Sequence, residues 1–342
     1  MLRFRSESQL TPELTARFAA TARTNPFCSP AYLAYRESTG FQPWILYLDG
    51  AGDMAAACSA FMKSGRLGRF LEIPSLPTQV DAQSFWKGLM AFCRRARVTD
   101  LLVNTFASLE STIPPLSKET WRKRRCEYRL DCGPDLWKQM RKGHWYSVKK
   151  GQKAGLTMRH GTSEQACLDH ARLTNESMSR RASRGEQVSW QKDTEHALAI
   201  TRRGAGEVFQ AFLGDTPVSS NLILLAEKGG YNHSQGASKE GMNCGAPHFL
   251  IYEIVNHLRN NAACEVFNLG GTDQLNSGLE QFKSGFGATT SRVELDAVEF
   301  FVGGFAIGTV RSAVRFIHGA IRRSQIAPSR GTVRSGSQPS TE

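Results

Sequence analysis

The sequence lacks the signals of a membrane-spanning, secreted or metal-binding protein. Its apolar stretches all fall short of the roughly 18 uncharged residues that a membrane-spanning helix needs. No apolar segment follows the first arginines, as a secretory signal would require. The eight cysteines form no CxxC pair, and none stands at metal-ligand spacing from a pair of histidines. These absences predict a cytoplasmic protein with reduced thiols and no metal site.

The charge of the chain is positive and unevenly placed. The net charge is +12, and residues 117–159 alone hold 13 basic and 4 acidic residues, whereas residues 301–342 hold 6 basic and 1 acidic. Hydrophobic residues make up 40% of the chain and charged residues 22%, which is typical of a soluble globular protein. The two basic regions indicate a phosphate-bearing ligand, a nucleic acid or an anionic membrane surface, or else a solvated basic surface.

Composition and turn signals divide the chain into two α/β domains and a tail. Residues 1–130 combine predicted helices with apolar strands, and the basic run Trp121–Arg125 is interpreted as a linker to a second domain at 131–300. Residues 301–323 have the apolar stripe of a basic amphipathic helix, which either packs on its own domain or lies on an anionic membrane. Residues 324–342 are rich in Ser, Gly, Pro and Arg and are expected to be disordered.

The second domain contains a predicted strand–helix–strand unit. In chain order its parts are a strand at Tyr231–His233, a polar loop at Ser234–Gly245, a helix beginning at Pro247 and a strand at Cys264–Leu269. Strands joined through a helix are expected to be parallel. Ligands of open α/β sheets bind at the carboxyl ends of such strands, which here are His233–Gly236 and Asn268–Asp273.

Three stretches of this half carry a family resemblance. They are residues 147–155 (SVKKGQKAG), residues 231–233 (YNH) with 246–253 (APHFLIYE), and residues 267–273 (FNLGGTD) with 278–287 (GLEQFKSGFG). Their order and content resemble the FemAB family and its relatives in the GNAT acyltransferase superfamily. The resemblance implies two GNAT-like domains, each a mixed sheet flanked by helices, and an enzyme that transfers an acyl group to an amine.

The same resemblance implies a role for Lys283, the lysine of the Phe-Lys motif, in stabilising negative charge during the transfer. The chemistry agrees, because aminolysis of a thioester or an ester passes through a tetrahedral oxyanion that a fixed cation stabilises. Phe282 and Phe286 flank this lysine and are predicted to fix the segment beside the substrate. The alternative for Lys283 is an ordinary surface lysine.

Four polar residues at the predicted strand ends complete the candidate site. Asp273 either accepts or orients the proton of the attacking amine, or it caps a loop. His233 is a candidate general base near neutral pH, or it is merely hydrogen-bonded. Tyr231 and Asn268 are predicted to bind substrate, Asn268 through an amide hydrogen bond to a carbonyl.

Two sets of residues are candidates for holding the phosphates of a co-substrate. Gly236, Gly241 and Gly245 offer backbone amides before a helix, where an anion is favoured, although the Arg/Gln-x-x-Gly-x-Gly/Ala pattern of GNAT acetyltransferases is not present. Lys149 and Lys153 lie on a predicted basic helix and are candidates for a pyrophosphate or for tRNA phosphates, or they form a solvated face.

These residues predict an N-acyltransferase that acts on an amine of a cell-envelope or exopolysaccharide precursor. Acyl-CoA is the expected co-substrate, with aminoacyl-tRNA as the alternative donor, and no tightly bound cofactor or metal is expected. A non-catalytic binding protein of the same fold is a further alternative, because a fold does not fix a function. The expected partners are a small or lipid- or nucleotide-linked amine, with tRNA and a peripheral contact of 300–323 with the inner membrane left open.

Overall fold

Twelve strands form one mixed sheet in the computed structural model. The model describes residues 2–50, 53–65, 68–77, 81–108, 113–115, 119–186, 188, 194–273, 277–287 and 292–303. The strands are β1 Arg3–Glu7, β2 Gln42–Gly50, β3 Asp53–Gly65, β4 Gly68–Ile73, β5 Val98–Val103, β6 Glu119–Asp131, β7 Thr157–Gly161, β8 Gly206–Leu213, β9 Thr216–Leu225, β10 Gly229–Ala237, β11 Val266–Asp273 and β12 Arg292–Phe301. Their order across the sheet is β1-β2-β3-β4-β5-β12-β6-β11-β10-β9-β8-β7.

Helices cover both faces of this sheet. They are α1 Pro12–Thr21, α2 Pro30–Ser38, α3 Ala82–Arg95, α4 Leu136–Gln139, α5 Lys142–Lys153, α6 Glu164–Ala182, α7 Thr194–Arg202, α8 Lys239–Cys244, α9 Ala246–Ala262 and α10 Ser277–Ser284. Capping fixes the N-terminus of α1. The Thr11 hydroxyl accepts a hydrogen bond from the amide of Leu14, and Pro12 occupies the first turn of the helix. Leu250, Ile254 and Leu258 of helix α9 are buried in the core, as their four-residue spacing predicts.

The same order of elements occurs twice in the chain. In the first half, β1, two helices, β2, β3, β4, helix α3 and β5 follow one another, and in the second half β7, two helices, β8, β9, β10, helices α8 and α9 and β11 do so. Each half contains one parallel pair, β4 with β5 and β10 with β11, and the other neighbouring strands are antiparallel. The predicted α/β class and the parallel strand–helix–strand unit are therefore confirmed.

The two halves are joined within the sheet. Strand β12 pairs with β5 on one side and with β6 on the other. One apolar cluster also draws on both halves, since Ile45 and Phe61 share it with Leu222 and Tyr231. Strand β6 runs across the boundary predicted between residues 130 and 131, and that boundary stays a prediction.

The predicted linker Trp121–Arg125 is wrong, because these residues lie within β6. Arg122 and Arg125 form ion pairs with acidic side chains, and these pairs allow a basic stretch to lie within the sheet. Arg122 pairs with Glu119 and, across the ladder, with Asp296 at 2.6 Å. Arg125 pairs with Glu127 on its own strand. A run of like charge is therefore neutralised by side chains that are distant in sequence or two to three residues away.

The predicted loop Ser234–Gly245 is also wrong. Strand β10 continues to Ala237, and α8 begins directly after Ser238, whose hydroxyl accepts a hydrogen bond from the amide of Gly241. Polar and glycine-rich composition suggested a loop, but Gly236 is required for packing. A Cβ at Gly236 would lie 2.3 Å from the backbone of α6, so glycine allows the strand and the helix to touch.

The predicted single helix over 135–154 is interrupted. Helix α4 ends at Gln139 and α5 begins at Lys142, because the amide of Arg141 donates to the carbonyl of Gly285 rather than to the helix. Of the predicted helix at 301–323, Phe301 belongs to β12 and residues 304–323 lie outside the described residues, as does the tail 324–342. Residues 1–302 make one compact unit. No helix in the described ranges has the length and apolar character needed to cross a bilayer.

Candidate active site

Strands β10 and β11 pair over three residues and then separate. The paired residues are Gly229–Tyr231 on β10 and Val266–Asn268 on β11. Beyond them β10 stays paired with β9 as far as Ala237, and β11 stays paired with β6 as far as Asp273, each after a shift of register. We call this opening between two parallel strands the fork. It lies at the carboxyl ends of the strands, where an open sheet binds its ligand.

Lys283 reaches the fork from α10. Its side chain is buried, and its Nζ donates a 2.9 Å hydrogen bond to the carbonyl of Gly271. Gly270 has a φ of 75°, and a Cβ there would lie 2.8 Å from the carbonyl oxygen of Asn232 and 3.5 Å from Nζ, so only glycine fits beside the lysine. Burial lowers the pKa of Lys283 from its ordinary value to about 7, partly offset by the nearby carboxylate of Glu127.

Glu127 on β6 is a fully buried carboxylate beside the fork. Its Oε1 accepts hydrogen bonds from the Tyr231 hydroxyl at 2.8 Å and from the Arg125 guanidinium. Its Oε2 accepts from the Asn268 side chain at 2.8 Å and from the amide of Ala107 at 2.9 Å. With two donors on each oxygen, Glu127 holds the surrounding side chains in place and supplies a fixed negative charge.

The same cluster sets the state of Tyr231. Burial and the adjacent Glu127 carboxylate raise the pKa of Tyr231 well above its ordinary value, so its hydroxyl keeps its proton. The Tyr231 ring packs edge-on against Phe27, with ring centroids 5.0 Å apart. Arg125 stacks on Phe106, with its guanidinium carbon 3.9 Å from the ring centroid. The structure therefore brings Lys283, Tyr231 and Asn268 together, as the sequence predicts.

Aromatic side chains pack around the segment that carries Lys283. Phe282 and Phe286 pack edge-to-face with ring centroids 5.3 Å apart, and the His144 ring packs edge-on against Phe286 at 5.0 Å. His144 Nε2 donates a 2.8 Å hydrogen bond to the carbonyl of Phe282. A Cβ on Gly285 would lie 2.1 Å from the His144 ring. Phe282 and Phe286 thus support the lysine segment; contact with substrate stays a prediction.

His144→Ala is expected to lower kcat about tenfold to a hundredfold, because the anchor that places the lysine segment is removed and small misplacements of a reacting group cost about that much. His144→Gln, which keeps an N–H donor for the Phe282 carbonyl, is expected to recover most of kcat. Steady-state kinetics of both variants tests this, with His257→Ala as a control at a half-buried histidine that packs on His160 rather than on α10. Equal loss in the alanine and glutamine variants contradicts a positioning role.

His233 points into a different group of side chains. Its Nε2 lies 3.0 Å from His196 Nε2, and His196 Nδ1 lies 3.3 Å from the hydroxyl of Tyr35. Burial and the neighbouring imidazoles lower the pKa of His233 to about 3, so the ring is neutral at physiological pH. Its role as a general base stays a prediction.

The three candidate glycines all lie in close packing. Gly236 touches the α6 backbone, a Cβ on Gly241 would lie 2.2 Å from the carbonyl of Val218, and one on Gly245 would lie 2.5 Å from that of Ser147. The amides of Gly241 and Gly245 donate to the Ser238 hydroxyl and the Met242 carbonyl. These glycines shape the α8–α9 segment, and phosphate binding by them stays a prediction.

The remaining candidates have separate places. Asp273 is the last residue of β11, opposite Arg125 in the ladder, and its side chain lies outside the described part of the structure. Lys149 and Lys153 are exposed on α5. Within the described ranges, no cluster of three or more His, Cys, Asp or Glu side chains could hold a metal ion.

Two residues of this site, Glu127 and Arg125, were missed by the sequence analysis. Both lie in the basic stretch that composition identifies as a linker. One signal was available: Glu127 is an acidic residue between apolar Cys126 and Tyr128, in a stretch where basic residues dominate. An isolated charge inside an apolar strand needs a buried partner, and such a partner marks a candidate site.

Comparison with known proteins identifies the domain that carries the fork. Residues 138–284 match the family model described as an acetyltransferase (GNAT) domain. Among curated proteins, none matches the chain significantly.

Solved structures extend the likeness to most of the chain. FemX superimposes with a TM-score of 0.63 at 10% identity, over 87% of this chain and 96% of FemX. A tandem GNAT protein from the clavulanic acid biosynthesis pathway gives 0.51 at 8% identity, over 89% and 99%. A conserved protein of unknown function from Bacteroides thetaiotaomicron gives 0.52 at 11% identity, over 87% and 99%.

These likenesses confirm the predicted fold. Residues 138–284 match a GNAT domain model, and 87–89% of the chain has the fold of FemX and of a tandem GNAT protein, as the resemblance to FemAB relatives implies.

Proposed function

We propose that the protein transfers an acyl group from acyl-CoA to an amine of a cell-envelope or exopolysaccharide precursor, with the reaction at the fork. The observation that carries the proposal is the buried Lys283, whose Nζ lies where β10 and β11 separate, beside a fixed carboxylate. The donor is the one that GNAT domains generally use. The acceptor class follows from the FemAB-like resemblance.

In this proposal, Lys283 acts in its protonated form on the oxyanion of the tetrahedral intermediate. The amine attacks the thioester carbonyl, the carbonyl oxygen becomes negative, and the ammonium group stabilises it in a site with little water. Glu127 keeps a negative charge near Lys283 and so favours the charged lysine. The oxyanion collapses, the C–S bond breaks, and the thiolate of CoA leaves.

The proton of the attacking amine is assigned to a carboxylate or an imidazole at a strand end. Asp273 ends β11 at the fork and is the first candidate, and His233 on β10 is the second. A neutral His233 is able to accept a proton, although a pKa of about 3 makes it a weak base. Asp273→Asn and His233→Gln separate the two roles, since only the variant that removes the base lowers kcat.

The test measures CoA release from acetyl-CoA and longer acyl-CoAs by the purified full-length protein, with amino sugars and nucleotide-linked amino sugars as acceptors. We expect acceptor-dependent release of free thiol, with the matching acylated product in the mass spectrum. Lys283→Met is expected to lower kcat about a hundredfold to a thousandfold, the usual cost of losing an oxyanion donor. Product from aminoacyl-tRNA, with none from any acyl-CoA, would overturn the acyl-CoA assignment.

A further inference from the structure

Helices α4 and α5 present a strongly basic surface. Residues 135–153 contain one acidic residue, Asp135, and six basic residues, all of which are exposed: Lys138, Arg141, Lys142, Lys149, Lys150 and Lys153. On α5, Lys142, Lys149 and Lys153 follow the three- and four-residue spacing of one helix face. The ion pairs of the described residues include one with this set, between Lys138 and Asp135 at 3.0 Å.

Aromatic side chains lie among these charges. Tyr146 is 72% exposed and Trp137 is 45% exposed, both large fractions for aromatic side chains. Trp137 lies next to Trp145, with ring centroids 6.0 Å apart. Tyr146 lies one helical turn from Lys142 and from Lys149. Rings and charges therefore share one continuous surface, which we call the α4–α5 face.

We propose that the α4–α5 face docks the protein on a membrane surface that carries anionic lipids. Lysine side chains beside exposed Trp and Tyr match the boundary between headgroups and acyl chains, because the rings prefer the headgroup level and the ammonium groups reach the phosphates. Each basic residue near an anionic bilayer strengthens binding about fivefold. The proposal concerns residues 135–153 and does not depend on the chemistry at the fork.

The ring geometry favours lipid over nucleic acid. Single-stranded nucleic acids bind by stacking bases on open aromatic faces. Here the Lys149 ammonium lies over the Trp145 ring at 4.7 Å from its centroid, and the Lys138 ammonium lies over the Trp137 ring at 5.6 Å. Trp145 is also packed edge-on against Tyr252. An ammonium group thus already lies over a face of each of these two tryptophan rings, where a base would have to stack.

The same helix is connected to the site. Arg141 and His144, at the start of α5, donate hydrogen bonds to the carbonyls of Gly285 and Phe282 on the segment that carries Lys283. A membrane bound to the α4–α5 face therefore lies one helix away from the reacting lysine. This arrangement suits an acceptor held at a lipid surface.

The test is cosedimentation of the full-length protein with vesicles of phosphatidylcholine, with and without phosphatidylglycerol. We expect binding only to the anionic vesicles, with weakening as salt rises, because the contact is largely electrostatic. The variant Lys149→Gln/Lys150→Gln/Lys153→Gln is expected to bind about a hundredfold more weakly. Trp137→Ser/Tyr146→Ser is expected to weaken binding with its salt dependence unchanged.

The matched control removes the same charge elsewhere. Lys63→Gln/Lys87→Gln/Arg203→Gln changes three exposed basic residues outside the α4–α5 face and is expected to bind vesicles as the unmodified protein does. Equal losses in the two triple variants would show a general charge effect and overturn the proposal. Tight binding of a single-stranded oligonucleotide that depends on the α5 lysines, without vesicle binding, overturns it in favour of a nucleic-acid surface.

Discussion

Glu127→Ala is expected to lower the free energy of unfolding by at least about 3–5 kcal/mol, the usual cost of removing one partner from a buried charge pair. The substitution removes the carboxylate that pairs with the Arg125 guanidinium in a largely buried site. It also removes the hydrogen-bond acceptor of three further donors, which are the Tyr231 hydroxyl, the Asn268 side-chain amide and the backbone amide of Ala107. Each buried donor that is left without an acceptor lowers the free energy of unfolding by about a further 1–3 kcal/mol where water cannot reach it. Urea denaturation followed by circular dichroism measures the change.

Two variants separate this mechanism from a general loss of an acidic residue. Glu127→Gln keeps the shape but replaces one acceptor oxygen by a donor, so its cost is expected to fall between those of the unmodified protein and the alanine variant. Glu37→Ala, on the exposed end of α2, is expected to change the unfolding free energy by less than about 0.5 kcal/mol. A Glu127→Ala protein as stable as Glu37→Ala contradicts the structural role assigned to the carboxylate.

Residues that follow strong local signals could be placed from the sequence. The apolar stretches of β10, α9 and β11 predict a parallel strand–helix–strand unit, and parallel strands bring their carboxyl ends to one edge. Tyr231 and Asn268 therefore had to lie near each other, and the register places them directly opposite. Lys283 was predicted as a site residue from the Phe-Lys motif alone. Its local sequence pattern does not indicate that the side chain is buried.

The pairing of β6 could not be predicted from local pattern. The strand is central because β11 and β12 pair with its two edges, and both lie more than a hundred residues further along the chain. Composition alone predicts a solvated linker for its basic residues, since the partner Asp296 is 174 residues from Arg122 in the sequence and meets it only in the folded chain. Because β6 was not predicted as a strand of the sheet, its site residue Glu127 was not predicted either.

The packing role of Gly236, Gly241 and Gly245 could not be predicted for a different reason. A glycine before a helix is equally compatible with ligand binding and with close backbone packing. The sequence does not distinguish these cases, because the distinguishing atoms belong to α6, β9 and α5. In the structure Gly236, Gly241 and Gly245 each meet one of these elements within 2.5 Å of a virtual Cβ.

The protonation state of Lys283 is expected to control the pH dependence of kcat. We expect the ratio of kcat for the unmodified protein to kcat for Lys283→Met to be highest below pH 7 and to fall about tenfold per pH unit above it, because only the charged lysine stabilises the oxyanion. Taking the ratio cancels ionisation of the acceptor amine, which affects both proteins equally. Lys283→Arg, charged at every accessible pH, is expected to give a flat ratio. A ratio that rises through pH 7 assigns proton acceptance to the neutral lysine instead.

The stability of the folded chain gives an independent measurement of the same pKa. The folded-state pKa of about 7 lies below the ordinary value of 10.5, so between these values the unfolded chain binds a proton that the folded chain does not. The free energy of unfolding therefore rises with pH over this window, by about 1.4 kcal/mol per pH unit at most. In Lys283→Met this contribution is absent, and the difference between the two curves isolates the lysine. Parallel curves from pH 7 to 10 mean that Lys283 keeps its ordinary pKa, and a fall of the activity ratio near pH 7 then has to come from another group.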